Sequence, residues 1–247
     1  MNDGCLGADS HFWADRRVLV TGHTGFKGTW LTTRLLDLGA QVMGVSLPGP
    51  HYLPSLWQST GLRIHEVRAD VAGKGWQSDV VQFRPQVVLH LAAQALVPVA
   101  AEDPIGTFRT NVVGTAHLLG ALDELREAPQ ATLIVTTDKV YDARGRGPYT
   151  EQSPLGGGEP YAASKAAAEL VVHSWPSALT RATARSGNVI GGGDAAPRRL
   201  LPDLIRAWST NQPAVLRRPS ATRPWQHVCE PLDGYLRYAE LLAGPRG

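Results

Sequence analysis

The segment Gly22-His23-Thr24-Gly25-Phe26-Lys27-Gly28 separates a short apolar run, Arg17-Val18-Leu19-Val20-Thr21, from an amphipathic stretch carrying Trp30, Leu31, Leu35 and Leu38. The apolar spacing of that stretch is helical, and Gly39 closes it. Glycine at every third position between a strand and a helix leaves few folds open. It permits a tight turn, lets backbone N–H groups approach an anion, and seats a diphosphate at a helix N-terminus, where the dipole favours negative charge. Gly22, Thr24, Gly25, Phe26, Lys27 and Gly28 are therefore candidate contacts to a dinucleotide cofactor.

The alternation continues downstream. Residues 41–47, 63–69, 86–91, 131–136 and 179–186 read as strands, the second of them weakly patterned. Residues 76–83 and 161–173 read as helices, and Ile105, Phe108, Val112, Ala116, Leu119 and Leu122 keep helical spacing in a longer one. Strands alternating with helices predict an α/β fold with a doubly wound, parallel, Rossmann-type sheet. The expected division is a dinucleotide-binding domain over residues 1–189 and a small, partial substrate lobe over 190–247. In that lobe a helix is expected around 200–209, a short strand near Val215 and a helix over 231–242.

Composition narrows the function classes. A net charge of +2 with no basic run gives no nucleic-acid footprint. Cys5 and Cys229 stand alone, which argues against a zinc site or a disulfide framework, and no metal is expected. No apolar run reaches membrane-spanning length and residues 1–17 carry no apolar leader core, so a cytoplasmic protein is expected.

Two features carry chemistry. Tyr161 and Lys165 are four apart and so share a helix face, where an ammonium can lower a phenol's pKa and make it a usable base. Six tyrosines and four lysines in 247 residues predict about 0.1 such pairs by chance, so context carries the argument. That context is Thr136-Thr137-Asp138-Lys139, at the C-terminal end of a predicted strand, where open α/β sheets bind ligands. A dehydrogenase needs only a tyrosine, a lysine and a hydroxyl. An added acid and amine fit a second proton transfer, as loss of water requires. The second strand ends at Val45-Ser46 without the acid that grips an adenosine ribose, leaving NAD against NADP open there, and Asp70-Val71 is a candidate contact to the adenine.

With these motifs in place, the chain resembles the extended short-chain dehydrogenase/reductases, and among them the CDP-glucose 4,6-dehydratases. The resemblance rests on residues 18–30 (VLVTGHTGFKGTW), 89–94 (LHLAAQ), 107–115 (TFRTNVVGT), 136–141 (TTDKVY), 156–165 (GGGEPYAASK), 183–194 (TARSGNVIGGGD) and 221–228 (ATRPWQHV). Lys139 separates this group from the similar dTDP-glucose dehydratases, which carry glutamate there. The resemblance implies NAD as cofactor, with Ser46, Leu91, Ala92, Ala93, Gln94, Asn111 and Thr136 joining the residues above around it.

It further implies that Tyr161, assisted by Lys165, removes the C4 hydroxyl proton of a nucleotide-linked glucose. Lys139 would then take the C5 proton, Asp138 would protonate the departing C6 hydroxyl, and Thr137 would bind the sugar. Asn188, Arg198, Arg199, Arg223 and His227 would hold the nucleotide diphosphate, CDP-glucose being the expected substrate. A homodimer is implied too, through helices near residues 108–122 and 170–175.

Two departures from the family pattern stand out. Its members normally extend past the position of Gly247, hence the partial lobe, and the loop 142–150 carries Arg144-Gly145-Arg146-Gly147 in place of tryptophans. The alternatives are a nucleotide-sugar 4-epimerase or oxidoreductase, which needs Tyr161 and Lys165 alone, and a non-catalytic nucleotide-binding subunit.

Overall fold

The structure is a computed structural model that describes residues 7–49, 53–142, 144, 148–216 and 219–244. Cys5 and three residues of the arginine-bearing loop, Gly145, Arg146 and Gly147, lie outside the described residues.

Six strands form one parallel sheet: β1 (Arg17–Thr21), β2 (Gln41–Ser46), β3 (His65–Arg68), β4 (Val87–His90), β5 (Ala131–Val135) and β6 (Arg181–Ala184), in the order β3-β2-β1-β4-β5-β6. The chain reverses direction across the sheet between β1 and β4, which pair from Val18↔Val87 to Thr21↔His90. At such a reversal the helices leave to opposite faces and open a crevice at the carboxyl ends of the strands. The doubly wound sheet expected from the alternation is present.

β1, β4 and β5 are buried along nearly their whole length, because both faces are covered by helices. Alternate side chains serve different cores. Val18, Val20, Leu89 and Leu133 pack with Leu31 and Leu35 of the helix Phe26–Asp37. Leu19, Val88 and Ile134 point the other way, onto Trp76, Val80, Leu118, Leu122 and Val172.

Three features differ from expectation. Val215 is not in a strand; it is 83% exposed, and the strand lies at β8 (Trp225–His227), parallel to β7 (Asn188–Ile190). An apolar residue marks a strand only where a neighbouring chain offers a ladder, and that partner is set by the fold. The long helix is interrupted: Pro104–Phe108 and Gly114–Asp123 are α-helical, but Arg109–Val113 is a π-turn. The wider turn shifts the phase of the helix and leaves Asn111 facing inward, 1% exposed. Finally, the helix Cys229–Ala243 sends Leu232, Leu236 and Ala239 into the same core as β1, so it packs on the sheet, while residues 188–190 pair with 225–227 beside it.

Candidate active site

The phosphate turn is built on two close approaches. Gly22 has φ +74° and donates to Val45 O (2.7 Å), and a Cβ there would meet the Ala92 backbone nitrogen at 2.7 Å. A Cβ on Gly28 would fall 2.0 Å from the Gly22 carbonyl oxygen. Glycine is thus obligatory where strand, turn and helix meet. The helix Phe26–Asp37 begins at Gly25 with no side-chain cap, so its first N–H groups are free to bind an anion.

This turn forms one wall of a cavity of about 390 Å³. The residues Gly22, Thr24, Gly25, Phe26, Lys27 and Gly28 all face it. At one end lie Ser46, whose Oγ is 2.5 Å from Thr24 Oγ1, and Asp70-Val71. Asp70 Oδ1 accepts from Ala72 N (2.9 Å), and its Oδ2 lies 3.4 Å from the Arg109 guanidinium. Leu91, Ala92, Ala93 and Gln94 line the middle, and Thr136, Tyr161 and Lys165 close the far end.

Asn111 stands behind that wall. Its side chain accepts from Gln94 N (2.9 Å) and donates to Ser164 Oγ (2.8 Å), so it braces the loop after β4 and the Tyr161 helix. Below it, His90 lies between Thr21 (2.6 Å) and Thr115 (3.2 Å), and burial holds its pKa down at about 3, so it is a neutral bridge.

The helix Pro160–Ser174 starts with Glu159, whose carboxylate accepts from the N–H groups of Tyr161 and Ala162 (2.8 and 2.9 Å). This cap and the strand end β5 fix Tyr161 and Lys165 together. Lys165 Nζ donates to Val135 O (2.9 Å), and burial pushes its pKa down to about 8, against the pull of Glu169. The Tyr161 phenol shares a hydrogen bond with Thr137, yet burial dominates and holds its pKa above the ordinary value. Burial thus works against the lowering expected from the adjacent lysine, whose amine is turned to a backbone carbonyl.

Asp138 and Lys139 follow on a short 3-10 turn, their side chains about one-third exposed and 3.6 Å apart. They lie outside the walls of the cavity but within electrostatic reach of Tyr161, in the case of Asp138, and of Lys27 for both. Lys27 does not stay in the phosphate turn. Its Nζ donates to Ser186 Oγ (2.8 Å) and to Tyr235 OH (3.2 Å), and burial together with Lys165 and Arg199 pushes its pKa down to about 7.

The residues expected to hold a diphosphate are more scattered. Arg199 lines the cavity and pairs with Asp194 (2.9 Å). Arg198 points elsewhere, paired with Glu102 at 2.6 Å. Asn188 sits on β7 with a buried, unpartnered Oδ1, and His227 lies on β8 with its ring edge-to-face with Trp30 at 6.4 Å. Arg223 is exposed and donates to Thr222 O.

Sequence reasoning missed Leu56, Gly193 and Asp194, which roof the cavity, and it missed Glu169. Glu169 was visible as an acid four residues past Lys165 in an otherwise apolar run. It is fully buried, accepts from Thr136 Oγ1 (2.6 Å) and is clamped by Arg185, whose Nε donates at 2.9 Å. Among the described residues no cluster of His, Cys, Asp or Glu could hold a metal ion, and no helix is long and apolar enough to cross a membrane.

A parallel doubly wound sheet, an uncapped glycine turn and a tyrosine–lysine pair on one crevice define a dinucleotide-binding protein of the short-chain dehydrogenase/reductase type. The chain belongs to the NAD dependent epimerase/dehydratase family, whose pattern matches residues 18–246. It is 41% identical over 95% of its length to the CDP-glucose 4,6-dehydratase of Salmonella typhimurium, spanning 69% of that protein. It is 29% identical over 94% of its length to the UDP-glucose 4-epimerase of Mycolicibacterium smegmatis, spanning 74% of it. Among solved structures, the dTDP-glucose 4,6-dehydratase of Streptomyces venezuelae with NAD bound superposes with a TM-score of 0.80 at 27% identity, covering 94% of this chain and 73% of that one. NAD is the cofactor that the family and the cradle share: the free helix N-terminus and the glycine turn suit its diphosphate.

Proposed function

We propose that the chain catalyses the 4,6-dehydration of a nucleotide-linked glucose, converting CDP-glucose to CDP-4-keto-6-deoxyglucose. The observation that carries this reading is the Asp138–Lys139 pair, joined through Thr137 to the phenol of Tyr161. Thr137 Oγ1 donates to Asp138 Oδ1 (3.1 Å) while sharing a hydrogen bond with Tyr161, so the groups for oxidation and for elimination flank one threonine. The likeness to the Salmonella enzyme supports the same reading.

When bound, NAD⁺ supplies the hydride acceptor for C4 and, once reduced, the hydride that ends on C6. Tyr161 acts in its phenolate form, taking the C4 hydroxyl proton at its oxygen. The elimination draws on Lys139 as the base and Asp138 as the acid. The amine removes the C5 proton, made acidic by the C4 ketone, and the acid protonates the C6 hydroxyl as it leaves as water. Lys139 then returns its proton to C5, and the proton held by Tyr161 passes through Thr137 to the Asp138 carboxylate, which restores phenolate, acid and amine. Asn188, Arg199, Arg223 and His227 are the candidate contacts to the nucleotide diphosphate.

We further propose a homodimer. Ile105 (81% exposed), Phe108, Val113 and Leu170 form an apolar face on the two helices that flank the site, suited to packing against the same helices of a second copy.

Incubation with CDP-glucose and NAD⁺, followed by the absorbance of the 4-ketone in alkali, tests the activity. Ketone formation is expected. Its absence at high protein concentration with NAD demonstrably bound would favour the non-catalytic alternative.

A further inference from the structure

The last helix of the fold sends one phenol toward the catalytic turn. Tyr235 lies on Cys229–Ala243, two turns inside a helix whose Leu232 and Leu236 are fixed in the core, and it is itself only 4% exposed. Its hydroxyl accepts a hydrogen bond from Lys27 Nζ at 3.2 Å, and its ring lies 5.6 Å from that nitrogen. The same amine donates to Ser186 Oγ at 2.8 Å. Ser186 follows β6, and its carbonyl oxygen accepts the backbone N–H of Asp138 at 3.1 Å. An unbroken chain of contacts therefore runs from the core helix to Lys27, to Ser186 and to the backbone of Asp138.

We infer that Tyr235 and Ser186 are positioning residues for the loss of water, holding through Lys27 the turn that carries Asp138 and Lys139; the inference rests on the dehydratase reading given above. Three physical points support it. The turn is short, a single 3-10 turn over Asp138–Val140, so it has little rigidity of its own. The Ser186 carbonyl takes the first N–H of that turn, so a shift of Ser186 moves the acid directly. An amine drawn out of water is costly, and burial together with Lys165 and Arg199 already pushes Lys27 down to about 7. Two hydroxyl acceptors offset part of that cost, and an apolar side chain would fill the space without it. Elimination needs the acid and amine aligned on C6 and C5 at once, which makes it more sensitive to a small displacement than oxidation at C4.

The test compares the full chain with Tyr235→Phe and Ser186→Ala, neither of which lines the cofactor cavity. Hydrogen–deuterium exchange on the chain alone reads the tether without reference to activity. Amides in residues 137–141 should exchange about tenfold faster in both variants, with residues 161–169 unchanged. With CDP-glucose and NAD⁺, ketone formation should fall about tenfold, while the first-turnover rise in NADH absorbance keeps its wild-type rate. Unchanged exchange over 137–141, a uniform rise across the chain, or equal losses in NADH formation and ketone release would each overturn the inference. Should the wild-type chain form no ketone, the dehydratase reading fails, and the exchange result alone decides whether the tether exists.

Discussion

Glu169 and Thr136 are joined by a 2.6 Å hydrogen bond in the interior, one helical turn beyond Lys165. The carboxylate is fully buried and its charge is met by Arg185, which in turn lies over the Tyr141 ring at 4.7 Å. This arrangement locks the end of β5, where Thr136 borders the cavity, to the helix that presents Tyr161 and Lys165. It also places a negative charge near an amine that burial would otherwise discharge further.

Replacing Glu169 with Gln should therefore cost about 3 kcal/mol of folding stability, because Arg185 loses its counter-charge in a partly buried position. Urea unfolding checks the figure. The double variant Glu169→Gln/Arg185→Met should recover part of the loss, since it removes both charges. A single variant within about 0.5 kcal/mol of wild type would contradict the account, that being the range of ordinary surface changes.

Lys165→Met should stabilise the fold while abolishing activity. Folding lowers the amine's pKa from 10.5 to about 8, so below pH 8 the native state bears the cost of the buried charge in full. Between those values the unfolded chain holds a proton that the native chain has released, and wild-type stability climbs with pH. Allowing for the lost bond to Val135 O, the variant should be about 2 kcal/mol more stable at pH 7. That advantage should shrink as pH rises from 8 toward 10.5. Denaturation curves at pH 7 and pH 10 give the comparison, and an equal gap at both would rule the explanation out.

Asp138→Asn should separate the two halves of the proposed reaction. Ketone formation should drop about 100-fold, the usual weight of a general acid. First-turnover NADH formation should continue near the wild-type rate, because Tyr161 and Lys165 are untouched. A parallel loss of both signals would place Asp138 in the oxidation instead.

Gly28→Ala should damage turn and cofactor site together. The new methyl would lie 2.0 Å from the Gly22 carbonyl oxygen, forcing helix and strand apart. About 2 kcal/mol of stability should be lost, and NAD affinity should fall at least about tenfold as the N–H groups leave their aim. Thermal melting and fluorescence titration with NADH measure the two effects.

Much of the site was legible because it is local. The i, i+4 relation of Tyr161 and Lys165 follows from helical pitch, and the glycine spacing announces the turn between β1 and its helix. The strands were legible because a parallel sheet covered on both faces selects continuous apolar runs such as Val18-Leu19-Val20. Less visible was the strand at Trp225–His227, which exists through its pairing with Asn188–Ile190 and has no pattern of its own. The π-turn at Arg109–Val113 was equally hidden, since the apolar spacing around it still fits a helix.

The amino-acid order by itself determined the layered α/β architecture, the glycine turn and the candidate tyrosine–lysine pair, because each depends on spacings of a few residues. Only the tertiary structure decided where Lys27 points, which carboxylate neutralises Arg185, and that a phenol of the final helix meets the Lys27 amine. Those outcomes depend on groups far apart along the chain, 159 residues in the case of Lys27 and Ser186. Such groups meet only when the whole sheet has closed around its two cores.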